Sequence, residues 1–86
     1  MTTSELVGLN TKWYRYKNHW TQEQFGELAN FKTAYISVIE TGKYNIYSST
    51  IDQIAKTFHI APKDLLDEKT AEKAKTLPKR VDMFEG

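Results

Sequence analysis

Residues 21–42 constrain the fold more than any other part of the chain, because a helix start, a helix stop and a second stop follow one another closely. Thr21-Gln22-Glu23-Gln24 is a Thr-x-x-Gln capping box, in which the Thr21 hydroxyl and the Gln24 amide satisfy two N–H groups that a helix start leaves orphaned. Trp20 before the cap and Phe25 after it can close as a hydrophobic staple. The helix predicted over 22–29, burying Phe25, Leu28 and Ala29, stops at Asn30, which tolerates left-handed backbone. Ile36 and Ile39 at i, i+3 predict another short helix from about Lys32 to Gly42, where a missing Cβ suits a left-handed stop.

The flanks read as helices too. From residue 4 to about 18 no proline intervenes, and Val7 and Tyr14 recur at helical spacing beside a second stripe of Leu6, Leu9, Trp13 and Tyr16. That stripe is either a contact surface or ground covered by the rest of the chain. Ser49 or Thr50 caps a helix in which Ile51, Ile54, Ala55 and Phe58 follow i, i+3, i+4, i+7. Pro62 suits the first position of a short helix over 62–66, whose two leucines close the core. The expected fold class is all-α, five helices and no sheet, in one domain over 1–66. The tail over 67–86 turns charged and alanine-rich, partly helical or disordered, with Val81, Met83 and Phe84 apolar enough to dock.

Composition narrows the function. Eighty-six residues at 40% hydrophobic content suffice for one domain, though a domain this small buries only about 60% of its unfolded surface. Without cysteine, neither disulfides nor thiolate metal sites reinforce it, so side-chain packing must. No apolar run reaches the roughly 18 residues needed to span a bilayer, and the N-terminus lacks a signal-peptide pattern, so no membrane association and a cytoplasmic location are expected. His19 and His59 are isolated and read as helix-end and turn residues, not metal ligands. Ser37 has no base placed to activate it, and the glycines form no phosphate loop. No enzyme, cofactor or metal is expected. The net charge of +1 is low for a nucleic-acid partner. Its distribution is more suggestive: Lys12, Arg15, Lys17, Lys32 and Lys43 bracket the two central helices, while Glu5, Glu27, Asp52 and Asp64 lie elsewhere.

Two short helices joined by a turn of three or four residues match the helix-turn-helix pattern, whose second helix enters the DNA major groove. The run Trp20-Thr21-Gln22-Glu23-Gln24-Phe25-Gly26-Glu27-Leu28-Ala29 and the later Tyr35-Ile36-Ser37-Val38-Ile39-Glu40-Thr41-Gly42-Lys43 resemble the Cro/C1-type (XRE) family. That family includes lambda- and 434-type phage repressors and restriction-modification controller proteins, and the resemblance covers about 7–66. It departs at Gly26, where alanine is usual, at Asn30 (usually glycine), at Thr11 (usually aliphatic) and at Val38 (often polar or basic). The resemblance implies a lambda-repressor-like five-helix domain with helix three in the groove. It also implies a sequence-specific transcriptional regulator, most often a repressor, gripping a palindromic double-stranded operator as a homodimer. By the same resemblance Gln22 donates to a phosphate, while Lys32, Thr33, Ala34, Ser37 and Val38 face base edges. Thr41, Lys43, Tyr44 and Asn45 follow the other strand's backbone, and Arg15 pairs with Glu40 inside the protein. Tyr35 suits core packing and phosphate contact equally. Lys32 and Lys43 are ordinary solvated charges unless their place in the motif brings them to phosphates. The alternative is an antitoxin or adaptor whose tail and exposed helix-one face bind a protein partner.

Overall fold

A computed structural model describes all residues, 1–86, and contains helices and turns but no strand. The order is α1 (Thr3–Lys17), α2 (Gln22–Ala29), α3 (Thr33–Thr41), α4 (Ser48–Phe58), a 3-10 turn (Pro62–Leu66), α5 (Glu68–Ala74) and a last 3-10 turn (Val81–Met83). Val7, Phe25, Ala29, Ile36, Ile39, Ile54, Ala55, Phe58 and Leu65 form the core. The all-helical class expected from the periodicity is what the chain adopts. The segment after Pro62 winds as 3-10, and the fifth α-helix is the one that follows it.

Local chemistry sets the element ends. Thr21 accepts from the Gln24 N–H while Gln24 Oε1 accepts from the Thr21 N–H, at 3.0 and 2.9 Å, so the capping box forms in full. Trp20 stacks on Phe25 at 6.2 Å, and Phe25 stacks on Phe58 at 4.6 Å, which fastens the start of α2 to α4. Asn30 takes the left-handed conformation with φ 61°, and the Phe31 N–H closes back on the Gly26 carbonyl at 2.8 Å. α3 ends at Gly42, whose φ of 70° favours a residue without Cβ.

Four expectations need correction, the first being that of the two leucines in 62–66 only Leu65 closes the core, while Leu66 is 43% exposed. α1 begins earlier than the apolar pattern suggests, because Thr2 and Glu5 make a second capping box. Neither Ser49 nor Thr50 caps α4: both lie within it, Tyr47 is the cap residue, and its side chain makes no cap hydrogen bond. Leu28 is 57% exposed, since α2 buries Phe25, Gly26 and Ala29 and turns Leu28 outward beside His59.

The stripe on α1 is covered rather than open. α5 packs along α1, and Ala71 and Ala74 are buried there, small enough for close approach of the two helices. Asn10, fully buried, donates to the Asp67 carbonyl at 2.9 Å and ties α1 to the start of α5. Further along, the Tyr16 hydroxyl donates to the Pro78 carbonyl at 2.7 Å, and the Phe84 ring meets Trp13 and Tyr16 edge-on. The expectation of an exposed helix-one face available to a partner is therefore overturned. Buried Thr11 keeps its place among apolar groups by donating to the Val7 carbonyl one turn back.

Candidate nucleic-acid interface

α2 and α3 are joined by Asn30, Phe31 and Lys32, a turn short enough to hold them at a fixed angle. α3 is two-faced. Ile36 and Ile39 are buried, whereas Thr33, Ala34, Ser37, Val38 and Thr41 stand exposed on the opposite side. Lys32, the cap residue, is exposed at one end of this face; Lys43, Tyr44 and Asn45 are exposed beyond the other. The apolar spacing that places the isoleucines in the core is what forces the threonine, alanine, serine and valine outward.

Behind α3 lies a buried ion pair. Arg15 donates through Nε and Nη2 to the two carboxylate oxygens of Glu40 at 2.8 and 2.9 Å, with both side chains under one-tenth exposed. Its Nη1 donates to the Trp20 carbonyl at 2.9 Å, so a single guanidinium joins α1, the loop before α2, and α3. The planar fork matches the carboxylate in a way an ammonium does not. Arg15 also lies over the Tyr16 ring, 4.9 Å from its centre.

Some residues expected at a surface contact are engaged within the protein. Gln22 is half-buried and its amide donates to Glu40 at 3.2 Å, so in the free chain this amide completes the ion-pair network. Tyr35 is placed by packing: its hydroxyl shares a 3.1 Å hydrogen bond with buried Thr50 and its ring meets Phe31 edge-on. The Thr41 hydroxyl donates to the Val38 carbonyl at 2.6 Å, a bond of the helix end. What remains free on the outer face is Lys32, Thr33, Ala34, Ser37, Val38, Lys43, Tyr44 and Asn45. Sequence reasoning missed two neighbours. Tyr47 is 79% exposed in the loop after α3. Lys79 and Arg80 lie across a polar cleft from Gln22, Ser37 and Thr41, the edge of α3's outer face. The dibasic pair before Val81, Met83 and Phe84 was the available signal for the latter. No group of three His, Cys, Asp or Glu side chains is placed to hold a metal ion. No helix is long and apolar enough to cross a membrane.

A compact helical frame that presents one short, polar-faced helix on a two-helix turn defines the helix-turn-helix class. The helix-turn-helix family model matches residues 12–65, and the chain belongs to that family, in its Cro/C1 (XRE) type. The chain is 37% identical over 51 residues to the control protein C.BamHI of Bacillus amyloliquefaciens, a match covering 59% of this chain and 63% of that one. The chain thus spans less than two thirds of that relative's length. Its fold is similar to the crystal structure of the hypothetical transcription factor NHTF from Neisseria, with a TM-score of 0.74 at 23% identity, covering 88% of this chain and 86% of the other.

Proposed function

We propose that this chain is a sequence-specific, DNA-binding transcriptional regulator that lays α3 in the major groove of an operator and represses from it as a homodimer. The observation that carries the reading is the two-faced α3: apolar inward, short and polar or methyl-bearing outward, held rigid from behind by Arg15 and Glu40. Short side chains let the helix axis approach base edges closely. Thr33, Ala34 and Val38 offer methyl groups, which recognise the thymine C5-methyl, and Ser37 and Lys32 add polar contacts. Lys43 and Asn45 meet phosphates and set register without reading sequence, and Tyr44 lies alongside them. Gln22 contributes to the backbone contact from the N-terminal end of α2, where the helix dipole favours an anion. Membership of the helix-turn-helix family and the likeness to a control protein support this assignment.

Dimerisation follows from the small reach of one recognition helix, since two copies about 34 Å apart on one duplex face read a longer palindrome. With the α1 stripe covered by α5 and the tail, the region after Phe58 is the surface left for it, where Leu66 is 43% exposed. The regulator works in the cytoplasm, where the operator is. A gel shift against the DNA flanking its own gene tests the reading. Retarded complexes that survive excess random-sequence competitor are expected, and equal displacement by random competitor would refute sequence-specific binding.

A further inference from the structure

An open polar cleft beside α3, about 550 Å³ in volume, is lined by Gln22, Ser37 and Thr41, by Lys12 of α1, and by Lys79 and Arg80 of the tail. These two tail cations lie outside the residues that match the family model, yet the fold brings them to the edge of its recognition face. Their placement is built. Pro78, immediately before them, accepts the Tyr16 hydroxyl at 2.7 Å, and Phe84, just after, is seated against Trp13 at 6.1 Å and Tyr16 at 5.8 Å. The pair is thus pinned from both sides while its own side chains stay exposed.

We infer that Lys79 and Arg80 form a second phosphate-binding element, by which the tail grips the DNA backbone next to the groove that α3 occupies. The inference rests on the DNA-binding reading above and extends it to residues beyond the helix-turn-helix. The charges around the cleft leave the element positive. Glu40 is already held by Arg15 and Gln22. Asp82 meets Arg80 only at 3.5 Å, with both side chains largely exposed, a pairing of little strength. Lys79 has no ion-pair partner, and Glu23 is the remaining carboxylate lining the cleft. A duplex resting on α3 carries its sugar-phosphate backbone past the Gln22 edge of the cleft, where the cations of the tail meet a phosphate.

The test compares the full-length chain with its K79Q/R80Q variant, by fluorescence anisotropy on one operator duplex at salt concentrations from about 0.05 to 0.3 M. Removing one phosphate contact lowers the slope of log affinity against log salt by about 0.9, so the variant is expected to fall by about 1 to 2 in slope and about 5- to 30-fold in affinity at 0.15 M salt. Its preferred sequence, helicity and Tm are expected to be unchanged. The control K56Q removes an exposed charge from α4, outside both the cleft and the surface proposed for the dimer, and is expected to keep the wild-type slope. An unchanged slope in K79Q/R80Q, an equal fall in the control, or tighter binding by K79Q/R80Q overturns the inference while leaving the regulator reading intact. A wild-type chain that binds no duplex overturns both.

Discussion

Each of the three guanidinium nitrogens of Arg15 donates inside the protein, two toward Glu40 and one toward the Trp20 carbonyl, and this is what fixes α3 to α1. Removing either partner leaves the other charge buried and uncompensated. Arg15→Ala or Glu40→Ala is therefore expected to cost about 3 to 5 kcal/mol, and the double variant less than the two costs added. Urea unfolding of the four proteins checks this, and strictly additive losses would show that the pair does not couple. Gly26 makes a second case. Helix propensity alone predicts that Gly26→Ala stabilises α2 by about 1 kcal/mol. In this fold, however, a methyl there meets the Phe31 carbonyl oxygen at 2.7 Å, because the chain turns tightly from α2 toward α3. The substitution is expected to destabilise by about 1 to 3 kcal/mol, visible as a lower urea midpoint. The departure from the alanine usual in the family is thus tied to the closeness of this turn, a contact that propensity does not contain.

At the scale of elements, caps explain both what could be read in advance and what could not. The bounds of α2 and the stop of α3 were legible because Thr21, Gln24, Asn30 and Gly42 act on backbone within a few residues of themselves. The start of α4 was not, because Ser49 and Thr50 are acceptable caps by type, yet Tyr47 takes the cap position and Thr50 lies within the helix, buried and hydrogen-bonded to Tyr35. α5 starts at Asp67, whose carboxylate accepts from the side chain and backbone N–H of Thr70, and these bonds hold its pKa below the usual carboxylate range. Glu5 is lowered too, chiefly by its bond to the Thr2 backbone N–H. Because both folded values lie below the unfolded ones, the stability these caps add is fully present above the ordinary carboxylate range and disappears as pH falls through the folded values. The urea midpoint of the wild type is expected to fall as pH drops below the ordinary carboxylate range. Asp67→Asn is expected to lose less of its stability over that interval, and an identical acid limb would contradict the assignment. For α3, the methyl-bearing face predicts that replacing thymine by uracil at one or more half-site positions weakens binding. Full affinity for every uracil-substituted duplex would leave Lys32, Ser37 and DNA shape as the readers.

At the scale of the whole molecule, the helix-turn-helix is local and the platform beneath it is not. A core formed from four helices and the Leu65 turn was readable from spacing, since Ile36, Ile39, Ile54 and Phe58 repeat with helical period. The tail's place on α1 was not, because burial of Ala71 and Ala74 depends on a partner helix far earlier in the chain, and charge-rich composition points to solvent. For the outer face, the structure brings together Lys32, Thr33, Ala34, Ser37 and Val38 on one side of α3, while Gln22, Tyr35 and Thr41 have internal partners that spacing does not reveal. The reading makes α3 the reader of sequence and its flanking cations the grip. The measurement that separates those roles is selection of duplexes from a random pool by the wild type, Val38→Ala and Lys43→Ala, followed by affinity measurement on the selected site. One palindromic consensus is predicted for the wild type. Val38→Ala should change it at one or two positions at a cost of about 1 to 3 kcal/mol, and Lys43→Ala should keep it while weakening all sequences alike and lowering the salt slope by about one. A consensus that Val38→Ala and every other change on the outer face of α3 leave untouched would contradict the claim that this helix reads the DNA.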